Sequence, residues 1–370
     1  MKEVIALFIF CIVLFLYLHI YFHLKTSNDL EIYEMEQSSK EKLEETCDLR
    51  QPVLFEFNNE RMLENCNYNN IVKNCGAFDI KIRNIKEYDD ETELYVPLTL
   101  NTAVEIFKND NDAKFASERN GGFLDETGLI KNYRYNDSFL RPSMVSKCIY
   151  DLIMASNNSE LPLRYEINYR NYYMVTQGKI KIRLIPPKSS KYLYPIKDYD
   201  NFEFISPVNV WDVQNQYKAD FDRIKFVDII LTKGKIINIP AYWWYSIKIL
   251  KPFTSICVFK YRTYMSTLSI SNHLFIRMLQ RQNIKREVNK TIIIKSNENN
   301  DDINSNSSNN KQGNIIKNEK EPIANDSQSS LYKYPVDLQL HYDTKDPLPE
   351  QFHKVTDTAV SATALALANQ

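Results

Sequence analysis

Histidine, the commonest metal ligand among protein side chains, is scarce in this sequence. Only 5 of the 370 residues are histidines, and none lies between positions 24 and 272. A non-haem iron(II) site with open coordination positions needs two imidazoles and one carboxylate, which residues 24–272 cannot supply. His341-Tyr342-Asp343 matches an H-x-D metal pattern, but no second set of strands follows it. We interpret His341 and Asp343 as surface residues of a C-terminal tail.

The elements that would position a site are strands with clear alternation. In residues 178–187 basic and apolar side chains alternate strictly, so that Lys179 and Lys181 share one face of a half-buried strand. The same enrichment in β-branched and aromatic residues recurs, between turn residues, in 163–175, 226–231, 235–239, 245–250 and 255–264. The sequence therefore predicts a mainly β (α+β) fold with antiparallel sheets.

A helix is predicted after the last strand. Four apolar residues fall on one helical face, at Leu274, Phe275, Met278 and Leu279. We expect its Met and aromatic side chains to be packing residues and not cofactor contacts.

The N-terminal residues 4–24 are apolar and carry no formal charge. At about 1.5 Å per residue they would cross a hydrocarbon layer of ~30 Å. The stretch lacks the short apolar region and small-residue cleavage site of a signal peptide, so it predicts an uncleaved transmembrane anchor. The short segment before it favours a cytoplasmic N-terminus. The rest of the chain would then be lumenal or extracytoplasmic, with a virion membrane as one setting.

The remainder of the chain consists of segments that differ in composition. Residues 25–46 are rich in acids and predict a solvated stalk. Residues 47–290 have the steady apolar content of a folded domain, with a barrel at about 145–265. Residues 296–330 are Asn-rich and nearly free of apolar side chains, which predicts a disordered linker before a tail at 331–370.

Charge and cysteine content narrow the class of protein. With 46 basic and 47 acidic residues, the chain lacks the basic excess of a dedicated nucleic-acid binder. In an extracytoplasmic domain the cysteines could form disulfides, or they could be reduced and buried; those after the anchor are Cys47, Cys66, Cys75, Cys148 and Cys257. Five N-x-S/T acceptor patterns predict a glycoprotein; they begin at Asn136, Asn157, Asn289, Asn306 and Asn325.

Three segments carry a resemblance to a known family. The segment 233–247, which reads KGKIINIPAYWWYSI, follows the strand at 178–187 and the stretch 206–209 (SPVN). In this order they resemble the JmjC/cupin-like domain family over roughly residues 145–265. The resemblance implies a double-stranded β-helix, or jelly roll, with flanking helices. Active members are 2-oxoglutarate-dependent oxygenases that hold iron through an H-x-D/E pair and a distant His.

Carried over by position, the resemblance places Arg164, Glu166 and Tyr245 where the three iron ligands would lie. Two of the three ligands are therefore replaced, and the resemblance implies a barrel that is degenerate at its metal site. In some active members a lysine binds the 2-oxoglutarate carboxylate; the ungapped match puts Ile180 there. Lys179 or Lys181 could take that role only with a change of register.

Two alternatives remain for what fills the former metal site of such a barrel. Arg164 and Glu166 share a face if the strand is extended, so a bidentate ion pair between them could plug the site. Alternatively, Arg164, Tyr245, Lys179 and Lys181, with Glu166 nearby, could bind an anion or a sugar. Trp243 and Trp244 are adjacent, so at most one of them can point inward.

We therefore expect a membrane-anchored, non-catalytic cupin-like protein with a binding or structural role, such as assembly of a viral membrane. No catalytic residue, metal or cofactor is expected under this hypothesis. The alternatives are a hydroxylase that uses iron(II) and 2-oxoglutarate at an atypical metal site, and a barrel that binds a sugar or an anion. The expected partners are the membrane and proteins that contact the barrel surface or the tail, without specific nucleic acid.

Overall fold

The computed structural model describes residues 1–36, 39–86 and 95–282. The strands in this part of the chain are β1 (Tyr33–Met35), β2 (Val53–Glu56), β3 (Asp79–Asn84), β4 (Val96–Thr99), β5 (Phe115–Ser117), β6 (Val145–Ala155), β7 (Arg164–Tyr165), β8 (Arg170–Gln177), β9 (Lys179–Ile185), β10 (Ile196–Asp198), β11 (Glu203–Ile205), β12 (Val227–Thr232), β13 (Lys235–Asn238), β14 (Trp244–Ile249) and β15 (Ser255–Thr263). The α-helices are α1 (Lys2–Leu24), α2 (Lys40–Asp48), α3 (Glu60–Asn65), α4 (Tyr68–Cys75), α5 (Leu100–Asn109), α6 (Gly121–Glu126), α7 (Ile130–Asn136), α8 (Lys218–Phe221), α9 (Tyr264–Ser269) and α10 (Ser271–Gln280).

The strands form two sheets. One has nine strands in the order β1-β2-β13-β8-β15-β6-β5-β3-β4, and the other has six in the order β10-β11-β7-β14-β9-β12. Every pairing is antiparallel except that of β1 with β2. The predicted mainly β fold, with antiparallel sheets and flanking helices, is confirmed.

The barrel core lies between the two sheets. Ile256 and Val258 of β15 pack there against Ile180 and Ile182 of β9 from the opposite sheet. The alternate residues of β15, including Phe259, face a second core formed with the helices that precede the barrel. Because β15 is buried on both faces, its sequence is almost continuously apolar rather than alternating.

Strand β9 has the predicted alternation. Ile180, Ile182 and Leu184 are fully buried, and the basic residues that alternate with them are partly exposed. Gly178 turns the chain from β8 into β9 with a φ of +90°. A Cβ atom there would lie 2.1 Å from Thr254 Oγ1, so the turn requires glycine both for its backbone and for space.

The single strand predicted at 163–175 is wrong. The chain leaves the six-stranded sheet after β7 and enters the nine-stranded sheet at β8. The Asn168 side chain in the intervening turn donates to Glu166 Oε2 at 3.1 Å and to Asn171 Oδ1 at 3.3 Å. These side-chain bonds satisfy polar groups in a turn that strand propensity alone does not reveal.

The solvated stalk predicted at 25–46 is also wrong. β1 pairs with β2 in the nine-stranded sheet, and Leu30 and Ile32 pack against the barrel core. In α2, Leu43 and Cys47 are buried on one face while the acids lie outside. Net acidity concealed an amphipathic spacing of three and four residues.

The terminal helices complete the described structure. α1 is apolar and long enough to cross a membrane, and it has no fully buried residue. A helix pair, α9 and α10, follows the last strand as predicted, but the expected packing is wrong for Phe275, Met278 and Leu279, which are exposed.

All six cysteines are free thiols, so the disulfides considered for this domain are absent from the structure. The linker, the tail and the pair His341 and Asp343 lie outside the described residues.

Candidate functional site

A cavity of about 330 Å³ opens at one end of the barrel. Its walls come from both sheets and from the connection between β5 and α6. The charged side chains that line it are the basic residues Arg119, Lys147, Arg164, Lys260, Arg262 and Arg277 and the acidic residues Glu118, Asp151, Glu166 and Glu203. A volume of this size is typical of sites for small molecules.

Three of the residues singled out in the sequence meet in this cavity. Tyr245 of β14 is the register partner of Arg164 of β7, so both side chains lie on the same face of the sheet. Tyr245 Oη accepts a hydrogen bond from Tyr173 Oη at 2.6 Å and donates to Glu166 Oε1 at 3.3 Å. Burial raises the pKa of Tyr245 well above its ordinary value, and the neighbouring Glu166 adds to this effect. Its phenol therefore stays neutral.

Arg164 forms its ion pair with Glu118, not with Glu166. Its Nη1 donates to Glu118 Oε2 at 2.7 Å and its Nη2 to Oε1 at 3.1 Å, which is a bidentate geometry. The Arg164–Glu166 plug is therefore wrong. The strand β7 ends at Tyr165, so the rule that residues two apart share a face does not extend to Glu166.

Glu118 belongs to a buried network of charges. Arg83 also contacts its carboxylate and reaches Glu203 with its Nη1 at 3.2 Å, while Arg119 Nη2 lies 2.7 Å from Glu203 Oε1. Burial opposes ionisation of Glu118, but Arg164 and Arg83 outweigh it and hold its pKa well below the usual range. The same balance, with Arg83 as the main cation, lowers the pKa of Glu203.

Glu166 has its own cation. Lys260 Nζ lies 2.6 Å from Glu166 Oε1, and the amide of Asn168 donates to the other oxygen. Glu166 is thus held by an ammonium, an amide and a phenol. The carboxylate is positioned firmly, but its ligands are protein groups.

Lys179 and Lys181 do not reach the cavity, so their assignment to the barrel site is wrong. Both lie on the face of β9 that points away from the barrel core. Lys181 Nζ lies 2.8 Å from Asp228 Oδ2 of β12, and Arg183 donates to the same carboxylate. The strand keeps the register of its apolar face, which excludes the shift that would turn a lysine inward.

The two adjacent tryptophans point in opposite directions, as predicted. Trp243 packs in the barrel core and its indole N–H donates to Arg50 O at 3.1 Å. Trp244 packs on the other side of its sheet with Leu163 and Ile185. Both side chains are core residues and neither lines the cavity.

Several residues of the site were missed in the sequence. Lys260 and Arg262 continue the inward face of β15 beyond Ile256 and Val258. Their period of two was a usable signal, because polar residues at the end of an apolar strand face often mark the mouth of a barrel. Glu118 gave no such signal, since it lies 46 positions from Arg164.

One side of the cavity carries an excess of cations. Arg262 Nε donates to the neutral amide oxygen of Asn168 at 2.6 Å, and the guanidinium groups of Arg262 and Arg277 lie 5.4 and 4.6 Å from the ring centroid of Phe202. The buried Nε of Arg277 has no hydrogen-bond partner among the described residues. Burial lowers the pKa of Lys147, and Arg262, Arg277 and Arg281 lower it further. A bound anion would relieve this repulsion.

The residues at the positions of the iron ligands do not fit a ferrous ion. Arg164 is a cation already paired with Glu118, Tyr245 is a neutral phenol, and Lys260 lies beside Glu166. His273, on α10, is hydrogen-bonded through Nδ1 to Tyr199 Oη at 3.0 Å. Across residues 1–36, 39–86 and 95–282, no group of three or more His, Cys, Asp and Glu side chains is arranged to hold a metal.

The two sheets around a shared core, with a cavity at one end, define a cupin fold. A model of the family described as "Cupin-like domain" matches residues 23–267, which is more than half of the chain. The chain therefore belongs to the Cupin-like domain family.

Named relatives agree with this assignment. The chain is 23% identical over 133 residues to HSPB1-associated protein 1 of Homo sapiens, covering 36% of this chain and 27% of that protein. It is 26% identical over 104 residues to the Rattus norvegicus protein of the same name, covering 28% and 22%. It is 31% identical over 98 residues to JmjC domain-containing protein D of Dictyostelium discoideum, covering 26% and 21%. The matched region is thus about a quarter of each relative's length, and the resemblance to JmjC proteins is confirmed.

Proposed function

We propose that this protein is a membrane-anchored, non-catalytic member of the cupin-like family whose barrel binds a small anion. The observation that carries the proposal is the pairing of Arg164 with Glu118 and of Lys260 with Glu166 in the cavity. These fixed charges stand where the family's active members, by the resemblance, hold iron. They replace a metal centre by two ion pairs, beside which Arg262 and Arg277 supply further cations.

The non-catalytic role follows from what the paired groups can do. Glu166 is neutralised by Lys260 at 2.6 Å, so a cation that approached it would first have to displace an ammonium. Arg164 remains a cation at any ordinary pH, and it would repel a metal ion. No cofactor is expected for the barrel.

The anion is inferred from the cations that lack a carboxylate of their own in the cavity wall. Arg262 is bonded to an amide, and Arg277 stacks on Phe202. Guanidinium groups recognise carboxylates and phosphates through paired N–H donors. The orphaned Nε of Arg277 is the kind of buried donor that a ligand oxygen would satisfy.

Membrane anchoring is supported by α1. The helix has 23 residues, a strongly apolar sequence and no fully buried side chain, and most of its side chains are exposed. A length of about 34 Å matches the hydrocarbon layer. The cytoplasmic N-terminus, the glycosylation, the virion membrane and the protein partners remain predictions from the sequence.

The metal prediction is tested by elemental analysis of the full chain purified in detergent under anaerobic conditions with ferrous iron. We expect far less than one iron per chain. We also expect no succinate when 2-oxoglutarate and oxygen are then supplied. Stoichiometric iron together with succinate would instead support the alternative, an oxygenase with an atypical metal site.

The anion prediction is tested by thermal unfolding in inorganic phosphate against chloride at equal ionic strength. Phosphate should raise the unfolding midpoint of the wild type, and Arg277→Gln should abolish that rise. The matched control is Arg223→Gln, at an exposed arginine whose carboxylate partner is Asp220, and it should respond as the wild type does. Equal responses of all three proteins, or no response, would contradict anion binding in the cavity.

A further inference from the structure

An exposed apolar surface adjoins the end of the barrel where β15 runs into α9. We call it the α9–α10 surface; it consists of Met144, Tyr264, Leu268, Phe275, Met278 and Leu279. Tyr264 N–H donates to Met144 O at 3.2 Å, which joins the β6 end of the surface to α9. Phe275 and Met278 are 56% and 52% exposed. Because α9 and α10 contact each other, apolar residues at this exposure on both helices indicate a surface that something covers.

The inner side of α10 faces the protein. Leu274 packs beside Ile270 and Phe204, and Arg277 lies over Phe202 at the cavity. Phe275 and Leu279 lie away from this inner side, and Met278 lies at its edge, four residues after Leu274; all three side chains are exposed. The exposure is therefore a property of one helical face and not of a frayed helix.

The position of α1 identifies what covers this face. α1 packs against α9, and its partly buried side chains all lie in its C-terminal half, at Leu16, His19, Ile20 and His23. This spacing of three and four residues is one helical stripe. α9 is therefore held beside the last turns of the apolar helix.

Helix length then sets the depth of α9. Residues 2–15 of α1, at about 1.5 Å each, reach only about 21 Å. A hydrocarbon layer of ~30 Å must therefore extend to the turns that contact α9. If α1 spans a bilayer, the α9–α10 surface reaches the boundary between headgroups and acyl chains.

We infer that the α9–α10 surface lies in the interfacial layer of the bilayer that α1 spans, with its apolar side chains among the upper acyl chains. This inference rests on the proposed membrane anchoring and adds a second, monotopic contact to it. Tyr264 supplies the amphipathic ring that favours this depth. α10 then has lipid on one side and the cavity on the other.

Basic residues near the α9–α10 surface favour contact with a membrane leaflet that contains acidic lipids. Lys147 follows Met144 by three residues and Arg281 follows Leu279 by two, and both are exposed. Partial burial and the arginines at positions 262 and 277 lower the pKa of Lys147, and Arg281 is close enough to lower it further. Basic residues beside an apolar helix face are typical of helices that lie in the interface of acidic membranes.

The test uses the full chain in vesicles of phosphatidylcholine and phosphatidylserine, with bromine near the headgroup end of the phosphatidylcholine acyl chains. Tryptophan is introduced by Phe275→Trp and, as a second variant on the same face, by Met278→Trp. The control is Tyr135→Trp on α7, at an aromatic residue that is 78% exposed. Wild-type emission gives the background from the native tryptophans.

We expect brominated lipid to quench the added tryptophan several-fold more strongly at 275 and 278 than at 135. Alkaline carbonate extraction of the same vesicles tests the anchor separately. Retention of the protein with equal quenching at all three positions would overturn this inference alone. Release of the protein by carbonate would overturn the anchor and this inference together. Equal quenching with a dimer in light scattering would assign the surface to a second copy, and so would also overturn it.

Discussion

Two clusters of ion pairs lie on opposite faces of the six-stranded sheet. The inner cluster joins Glu118 to Arg164 and Arg83, all at most about 10% exposed. The outer cluster joins Asp228 to Lys181 and Arg183, at 14–31% exposure. The two use similar groups at similar distances, and solvent access is what separates them.

This difference determines what each cluster can do. In the inner cluster the carboxylate is shielded from water and is stabilised by guanidinium groups. Removal of one partner therefore leaves an unpaired charge in the protein interior. In the outer cluster water can replace a lost partner. We therefore expect the inner cluster to determine the stability of the barrel mouth and the outer cluster to contribute little.

The largest effect is expected from Glu118→Gln. The change keeps the shape of the side chain but leaves Arg164 without its carboxylate partner in the interior, and it leaves Arg83 with Glu203 alone. Breaking a buried ion pair in this way costs about 3–5 kcal/mol. The measurement is the free energy of unfolding of the full chain in detergent by denaturant titration. A cost below about 1 kcal/mol would mean that the inner cluster is no more important than a surface pair.

Acid should act on the same cluster. The pKa values of Glu118 and Glu203 are lower in the folded protein than their ordinary values, although burial opposes ionisation, because Arg164 and Arg83 stabilise the carboxylates. The unfolded state therefore binds more protons in acid. Their stabilisation is complete above about pH 5 and is lost as the pH falls through the folded pKa values.

The measurement for this prediction is the unfolding midpoint between neutral pH and about pH 3. The wild type should lose stability steadily in acid, and Glu118→Gln should show a shallower decline because one of the titrating groups is gone. A parallel decline in both proteins would show that Glu118 does not carry the acid sensitivity.

The inner and outer clusters also show how far the sequence could predict the structure. The period of two in β9 correctly separated buried Ile180 and Ile182 from the lysines, since a strand must keep its apolar face on the core. The same alternation should have placed Lys181 outside, and only the resemblance suggested a role for it in the barrel. Lys260 and Arg262 were likewise within reach of this pattern on β15.

The inner cluster was beyond any local pattern. Glu118 follows a three-residue strand, β5, and meets Arg164 only because the two sheets close around the cavity. Arg83 and Glu203 are 120 positions apart in the chain. Such partners are selected by tertiary packing, which neither periodicity nor spacing encodes. The acidic segment containing α2 was misread for a related reason, because Leu43 and Cys47 find their core only after folding.

The smallest effect is expected from Asp228→Asn in the outer cluster. Arg183 and Lys181 outweigh partial burial and lower the pKa of Asp228, so the carboxylate is stabilising, but water can solvate both cations when it is neutralised. We expect a cost of about 1 kcal/mol or less, measured by the same denaturant titration. Added salt should reduce this cost, since exposed charges are screened over about 10 Å at 0.1 M ionic strength, whereas the cost of Glu118→Gln should hardly change. A cost for Asp228→Asn equal to that of Glu118→Gln, and equally insensitive to salt, would remove the distinction between the two clusters.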